Sequence, residues 1–83
     1  MDYELSDHAR TVIAERRIRS EWLQRVLERP DRVEADRADA ELEHRLGAIS
    51  EYDGRVLRVI IVREASPMRV VTAFFDRAMR DQL

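Results

Sequence analysis

The chain has 83 residues, 45% of them hydrophobic and 39% charged, with a net charge of −2 and no cysteine. That length supports one modest core, so a single domain over residues 1–83 is expected, and the composition is that of a globular protein rather than a disordered tail. The absence of cysteine excludes disulfides and thiolate metal sites and suits the cytoplasm. The longest apolar runs, VLRVIIV and VVTAFF, are strand-sized, and no signal-peptide pattern opens the chain, so no membrane association is expected.

In chain order, the residues up to Leu5 suit a short extended stretch. Ser6 or Asp7 then caps a first helix over about residues 7–16, with Leu5, Ala9 and Ile13 on its apolar stripe. Ser20 is the expected cap of a second helix, in which Trp22/Val26 and Leu23/Leu27 share a face and Glu21 supports Arg25. Pro30 ends it. From Asp31 the period changes to two. RVEA reads as a short edge strand and residues 36–41 as an acidic loop. LEHRLGAISEY and RVLRVIIVR follow, joined by Asp53-Gly54 as a two-residue hairpin turn, and the EASP turn leads to MRVVTAFFD. The expected fold is α+β: two N-terminal helices packed on one face of a three- to four-stranded antiparallel meander sheet.

A two-residue turn at Asp53-Gly54 pairs Tyr52 with Arg55, Ala48 with Val59 and Leu46 with Ile61, and the second turn pairs Arg63 with Met68. In this register Leu42, His44, Leu46, Ala48, Leu57, Val59, Ile61, Val70, Thr72 and Phe74 form the helix-covered core. Arg45, Arg58 and Arg69 stand on the opposite face among Ile49, Val56, Ile60, Val62, Val71 and Phe75. Arg45 and Arg69 flank Val62 there, about 10 Å apart.

Charge is unevenly placed. Residues 32–54 carry seven acids against three arginines, and residues 55–83 carry six arginines against three acids. All fifteen basic residues are arginine. A GC-rich genome is the plain account of the missing lysines, but arginine's planar fork also suits phosphate and carboxylate wherever several converge.

The candidate catalytic residues are His8, His44 and Arg16. His8, beside the positive end of the first helix dipole, is a candidate proton acceptor or an ordinary boundary histidine. Arg16 either snorkels from the apolar stripe or brings a phosphate ligand beside His8. His44 is a structural histidine of the core face or the acid that partners His8. Candidate substrate contacts are Arg45, Arg58, Arg69 and Thr72, where the plain alternatives are a solvated strand face and a satisfied core threonine. Two histidines with no spaced carboxylate motif indicate no metal site, and two glycines make no phosphate loop, so no cofactor is expected.

SDHAR followed by AERRI, then EHRLG, YDGRVLRVIIV and PMRVVTAFFDR, together resemble the bacterial family called domain of unknown function 4258. That family looks distantly similar to the RelE-like toxins and the wider barnase, EndoU, colicin and RelE group of metal-independent ribonucleases. The resemblance implies a RelE-like fold and attack of an RNA 2′-hydroxyl on the adjacent phosphate, with histidine or glutamate as base and arginines neutralising the phosphorane. The family's first helix reads H-A-R-x-R-M-x-E-R-G-I. This chain has Val12 at the second arginine and Arg17 at the glycine, and Phe74 where the last strand often carries tyrosine. The expected partners are RNA and an acidic antitoxin. The alternative reading is a non-enzymatic module that binds a second copy or an acidic partner on the arginine-bearing sheet face.

Overall fold

A computed structural model describes residues 2–83. The elements run β1 (Tyr3–Leu5), α1 (Asp7–Glu15), α2 (Ser20–Glu28), β2 (Arg32–Ala35), β3 (Leu42–Ile49), β4 (Arg55–Val62) and β5 (Met68–Phe75), with 3₁₀ turns at Ser50–Tyr52 and Arg77–Met79. The fold is α+β, as expected. The sheet has five strands rather than three or four, in the order β1-β5-β4-β3-β2, and it is mixed. The meander β2 to β5 is antiparallel, whereas β1 lies parallel to β5 through Tyr3↔Met68 and Leu5↔Val70.

Ser6 starts α1 as the sequence predicts. Its Oγ accepts from the Ala9 N–H at 3.0 Å, satisfying one of the free donors of the first turn, and its hydroxyl donates to the Val71 carbonyl at 3.0 Å. One side chain therefore caps the helix and fastens it to β5. Ser20 does not cap α2. It is the first helical residue, preceded by Arg19, which makes no capping bond and instead places its guanidinium 5.5 Å from the Trp22 ring centroid. The predicted apolar face of α2 is present in full, with Trp22, Leu23, Val26 and Leu27 all buried. Glu21 is not the main partner of Arg25, which turns instead to Glu51 in a two-pronged pair at 2.9 and 2.7 Å.

The β3–β4 register differs from the expected one by three residues. The strand ends at Ile49, and the closing pair is Ile49↔Arg55, followed by Ala48↔Val56, Leu46↔Arg58 and His44↔Ile60. Asp53 and Gly54 do adopt positive φ, at 58° and 69°. The connection is longer than two residues because Ser50–Tyr52 coil into a 3₁₀ turn. That turn carries Tyr52 out of the strand to stack on Trp22, with centroids 5.3 Å apart, and Phe75 meets both rings edge-on. An odd shift exchanges the faces of β3 relative to β4.

Across the second turn the predicted pairing holds for Val62↔Arg69 and Ile61↔Val70, then slips by one at a bulge that leaves Val71 unpaired, giving Ile60↔Thr72 and Arg58↔Phe74. The helix-covered core is therefore Ile49, Leu57, Val59, Ile61, Val70 and Ala73, packed on Ala9, Ile18 and the α2 residues with Phe75 at its margin. His44, Thr72 and Phe74, expected in that core, lie on the opposite face. Arg45, expected on the open face, points toward the helices and donates to the Leu27 carbonyl at 2.6 Å.

Candidate functional site

The open sheet face is ordered by its pairings into rows. One row carries Thr72, Ile60, His44 and Glu34, and the next carries Phe74, Arg58, Leu46 and Arg32. In the second row Arg58, only 12% exposed, is the hub of a polar network. Its Nε donates to Asp76 at 2.8 Å, and its Nη1 donates to Glu34 at 3.1 Å and to His44 Nδ1 at 2.7 Å. The other ring nitrogen of His44, Nε2, meets Asp36 Oδ1 at 2.7 Å. That bond, with the Asp39 and Ala38 backbone N–H groups, holds the Asp36 carboxyl below its ordinary value.

Both ring nitrogens of His44 are thus engaged. His8 is differently placed. It is exposed in the first turn of α1, and its Nε2 lies 3.2 Å from Thr72 Oγ1. Two strand spacings, about 10 Å, separate the His44 and Thr72 backbones, with Ile60 between them. The two histidines bond to different partners.

At the other end of the same helix Arg16 follows the last residue of α1 and its Nη1 donates to the Ala73 carbonyl at 2.7 Å. Helix α1 lies along β5 beyond the three residues that β1 pairs, so His8 and Arg16 reach consecutive residues of one strand, Thr72 and Ala73. These three sequence candidates, His8, Arg16 and Thr72, are brought to one edge. The other four are not. His44 and Arg58 belong to the half-buried network. Arg45 is on the helix face, where it also pairs with Glu43 at 2.8 Å, and Arg69 pairs with Glu4 at 3.2 Å at the far end of β5.

Where β4 begins and β5 ends, a cleft of about 670 Å³ is lined by Arg16, Arg55, Arg77 and Arg80 together with Tyr52, Phe74 and Phe75. Arg55, Arg77 and Arg80 belong to the basic last third of the chain, but no periodicity singles them out. Arg77 and Arg80 follow the final strand, and the signal that points to them is Asp76, whose Oδ1 accepts from the Ala78 N–H at 3.0 Å and turns the chain back over β4. Among the described residues, no three His, Cys, Asp or Glu side chains are grouped to hold a metal ion, and no helix is long and apolar enough to cross a membrane.

A family profile described as Domain of unknown function (DUF4258) matches residues 5–75, from the last residue of β1 to the last of β5. The chain belongs to this family. The matched region of this DUF4258 member includes His8, Arg16, Thr72, His44 and Arg58, and it ends before Arg77 and Arg80. Neither the curated proteins nor the solved structures contain a match. Of the two residues that the sequence reading set against the family's first-helix pattern, Val12 is buried and Arg17 takes a positive φ of 55°, a conformation that favours glycine.

Proposed function

We propose that this chain is a small RelE-like ribonuclease that acts on RNA without a metal ion, as the cytoplasmic toxin of a pair whose partner is acidic. The observation that carries the reading is the delivery of His8 and Arg16 by one helix to consecutive residues of β5. With Nε2–H donated to Thr72 Oγ1, the Nδ1 lone pair of His8 is left to accept a proton. His8 removes the proton of an RNA 2′-hydroxyl. The 2′-oxygen attacks the adjacent phosphorus, the P–O5′ bond breaks, the leaving oxygen takes a proton from water, and the hydroxide so formed takes the proton back from His8. The products are a 2′,3′-cyclic phosphate and a 5′-hydroxyl end. Arg16 spends one of its N–H groups on Ala73 and has the rest of its fork for the phosphorane oxygens. His44, bonded at both nitrogens, takes no part as the acid. An acidic partner that covers Arg16 silences the same edge.

The test is incubation of the purified chain with single-stranded RNA in EDTA. Cleavage with cyclic-phosphate ends is expected to fall by a factor of about 10²–10⁴ in His8→Ala, the usual contribution of a positioned base. Arg16→Ala is expected to retain the product pattern at a reduced rate. RNA left intact by folded wild-type protein refutes the proposal, as does His8→Ala cleaving at the wild-type rate.

A further inference from the structure

The cleft at the start of β4 and the end of β5 gathers charge without neutralising it. Its wall holds four arginines and one carboxylate, Asp76. Asp76 is already committed to Arg58 Nε at 2.8 Å and to the Ala78 N–H at 3.0 Å. Among the described residues, none of Arg16, Arg55, Arg77 and Arg80 has a carboxylate within ion-pair distance.

Three of the four are nevertheless held in place. Arg16 donates to the Ala73 carbonyl at 2.7 Å, Arg80 to the Asp53 carbonyl at 2.8 Å, and Arg55 to Tyr52 Oη at 3.2 Å while lying 4.5 Å from that ring's centroid. Each tether uses one of the five N–H donors of a guanidinium. The result is a set of positioned but uncompensated forks, the arrangement that a phosphate satisfies by bidentate bonds.

The aromatic lining is equally uneven. Tyr52 has Trp22 stacked on it and Arg55 over its ring, and Phe75 is packed edge-on against both Trp22 and Tyr52. Phe74 is half-buried on the open sheet face, and among the described residues it has no aromatic neighbour. The volume of about 670 Å³ exceeds what a lone anion fills and falls in the range of small-molecule sites.

We propose that this cleft binds a phosphorylated nucleoside, with the phosphate on Arg16, Arg55, Arg77 and Arg80 and the base laid on Phe74. The free ring sets the base, because every nucleobase has a π-face to stack. The net positive lining sets the phosphate. The inference shares with the ribonuclease reading only Arg16 and its preference for phosphate, and it requires no cleavage. The ligand is either a free nucleotide or the phosphorylated end of a strand, and the two sources are separable.

Calorimetric titration of the full chain with adenosine 5′-monophosphate, adenosine and inorganic phosphate tests the site. The monophosphate is expected to bind one to one and at least tenfold tighter than adenosine. Arg77→Ser combined with Arg80→Ser is expected to weaken it tenfold or more. Phe74→Leu is expected to weaken the monophosphate and leave inorganic phosphate within twofold. A 2′-O-methylated oligonucleotide, which has no 2′-hydroxyl to attack, identifies the source. A 5′-phosphorylated form binding at least tenfold tighter than its 5′-hydroxyl form marks a strand end, and equal weak binding of both, with the monophosphate still bound, marks the free nucleotide. Equal affinity for adenosine and its monophosphate overturns the proposal. So does tighter binding of phosphotyrosine or of an oligoglutamate peptide, which would make the cleft a protein-docking site. A chain that binds it but leaves RNA intact removes the ribonuclease reading alone, and one that cleaves RNA through His8 but does not bind it removes this inference alone.

Discussion

Arg58 Nη1 donates to His44 Nδ1 across 2.7 Å. Arginine has no acceptor, so the ring must offer its lone pair at Nδ1 and carry its hydrogen at Nε2, which it donates to Asp36. The bond fixes one tautomer and ties the loop after β2 to the centre of the sheet. Arg58→Met keeps the aliphatic stem but leaves Glu34, Asp76 and His44 without their shared donor. An expected loss of about 2–3 kcal/mol, at the low side for a network broken on one partner because Glu34 is partly exposed, is measurable as a lower urea midpoint at unchanged slope. A midpoint equal to wild type would show that the network contributes nothing net.

Gly47 lies where β3 passes beneath α2. A Cβ built there falls 2.9 Å from Val26 Cγ2, closer than carbon atoms approach, and Val26 is a stiff, β-branched residue buried in the core. Gly47→Ala is expected to cost about 1–3 kcal/mol through forced repacking. In a double-mutant cycle with Val26→Ala the two losses should be less than additive by about 1 kcal/mol. Additive losses would place the strain elsewhere.

Helix α1 closes in a Schellman turn: the Arg17 N–H donates to the Ala14 carbonyl at 3.2 Å and the Ile18 N–H to the Ile13 carbonyl at 3.0 Å. The turn requires the left-handed conformation at Arg17, whose φ is 55°. A side chain there costs about 1–2 kcal/mol, part of which glycine gives back through the entropy of the unfolded chain. Arg17→Gly is therefore expected to stabilise the fold by about 0.5–1 kcal/mol, raising the melting temperature by several degrees. A lower melting temperature would mean that the Arg17 side chain contributes more than its backbone strain costs.

Acid should weaken the link between α2 and the β3–β4 connection. The two hydrogen bonds from Arg25 hold the Glu51 carboxyl at about 2, against an ordinary 4.5. A depressed carboxyl contributes stability that is complete above its unfolded value and is lost as the pH falls through its folded one. Wild type and Glu51→Gln should differ most in thermal stability above pH 4.5 and converge as the pH approaches 2. Parallel stability curves across that window would contradict the assignment.

Much of the fold is legible in the residues themselves. Ser6 before an apolar stripe, Trp22, Leu23, Val26 and Leu27 at helical spacing, and alternation after Asp31 are local signals, and each marks the element it suggests. The register is not local. The choice of Ile49 rather than Tyr52 as the last residue of β3 is settled by the Tyr52 ring finding Trp22, a tertiary contact, and it reverses which of His44 and Arg45 faces the helices. The unpaired Val71 has no sequence signature, yet it moves Thr72 and Phe74 out of the core. The same two displacements redraw the candidate site. Thr72 becomes reachable from His8, while His44 and Arg58, expected on opposite faces, become bonded neighbours.

The parallel pairing of β1 with β5 also sets an order in time. Tyr3–Leu5 are made more than sixty residues before their partners Met68–Val70, and α1 has no strand edge to lie against until Phe75 is in place. His8 meets Thr72, and Arg16 meets Ala73, only in that last docking step. Under the proposed function, a nascent product still on its own messenger carries the parts of the site without the contacts that assemble it.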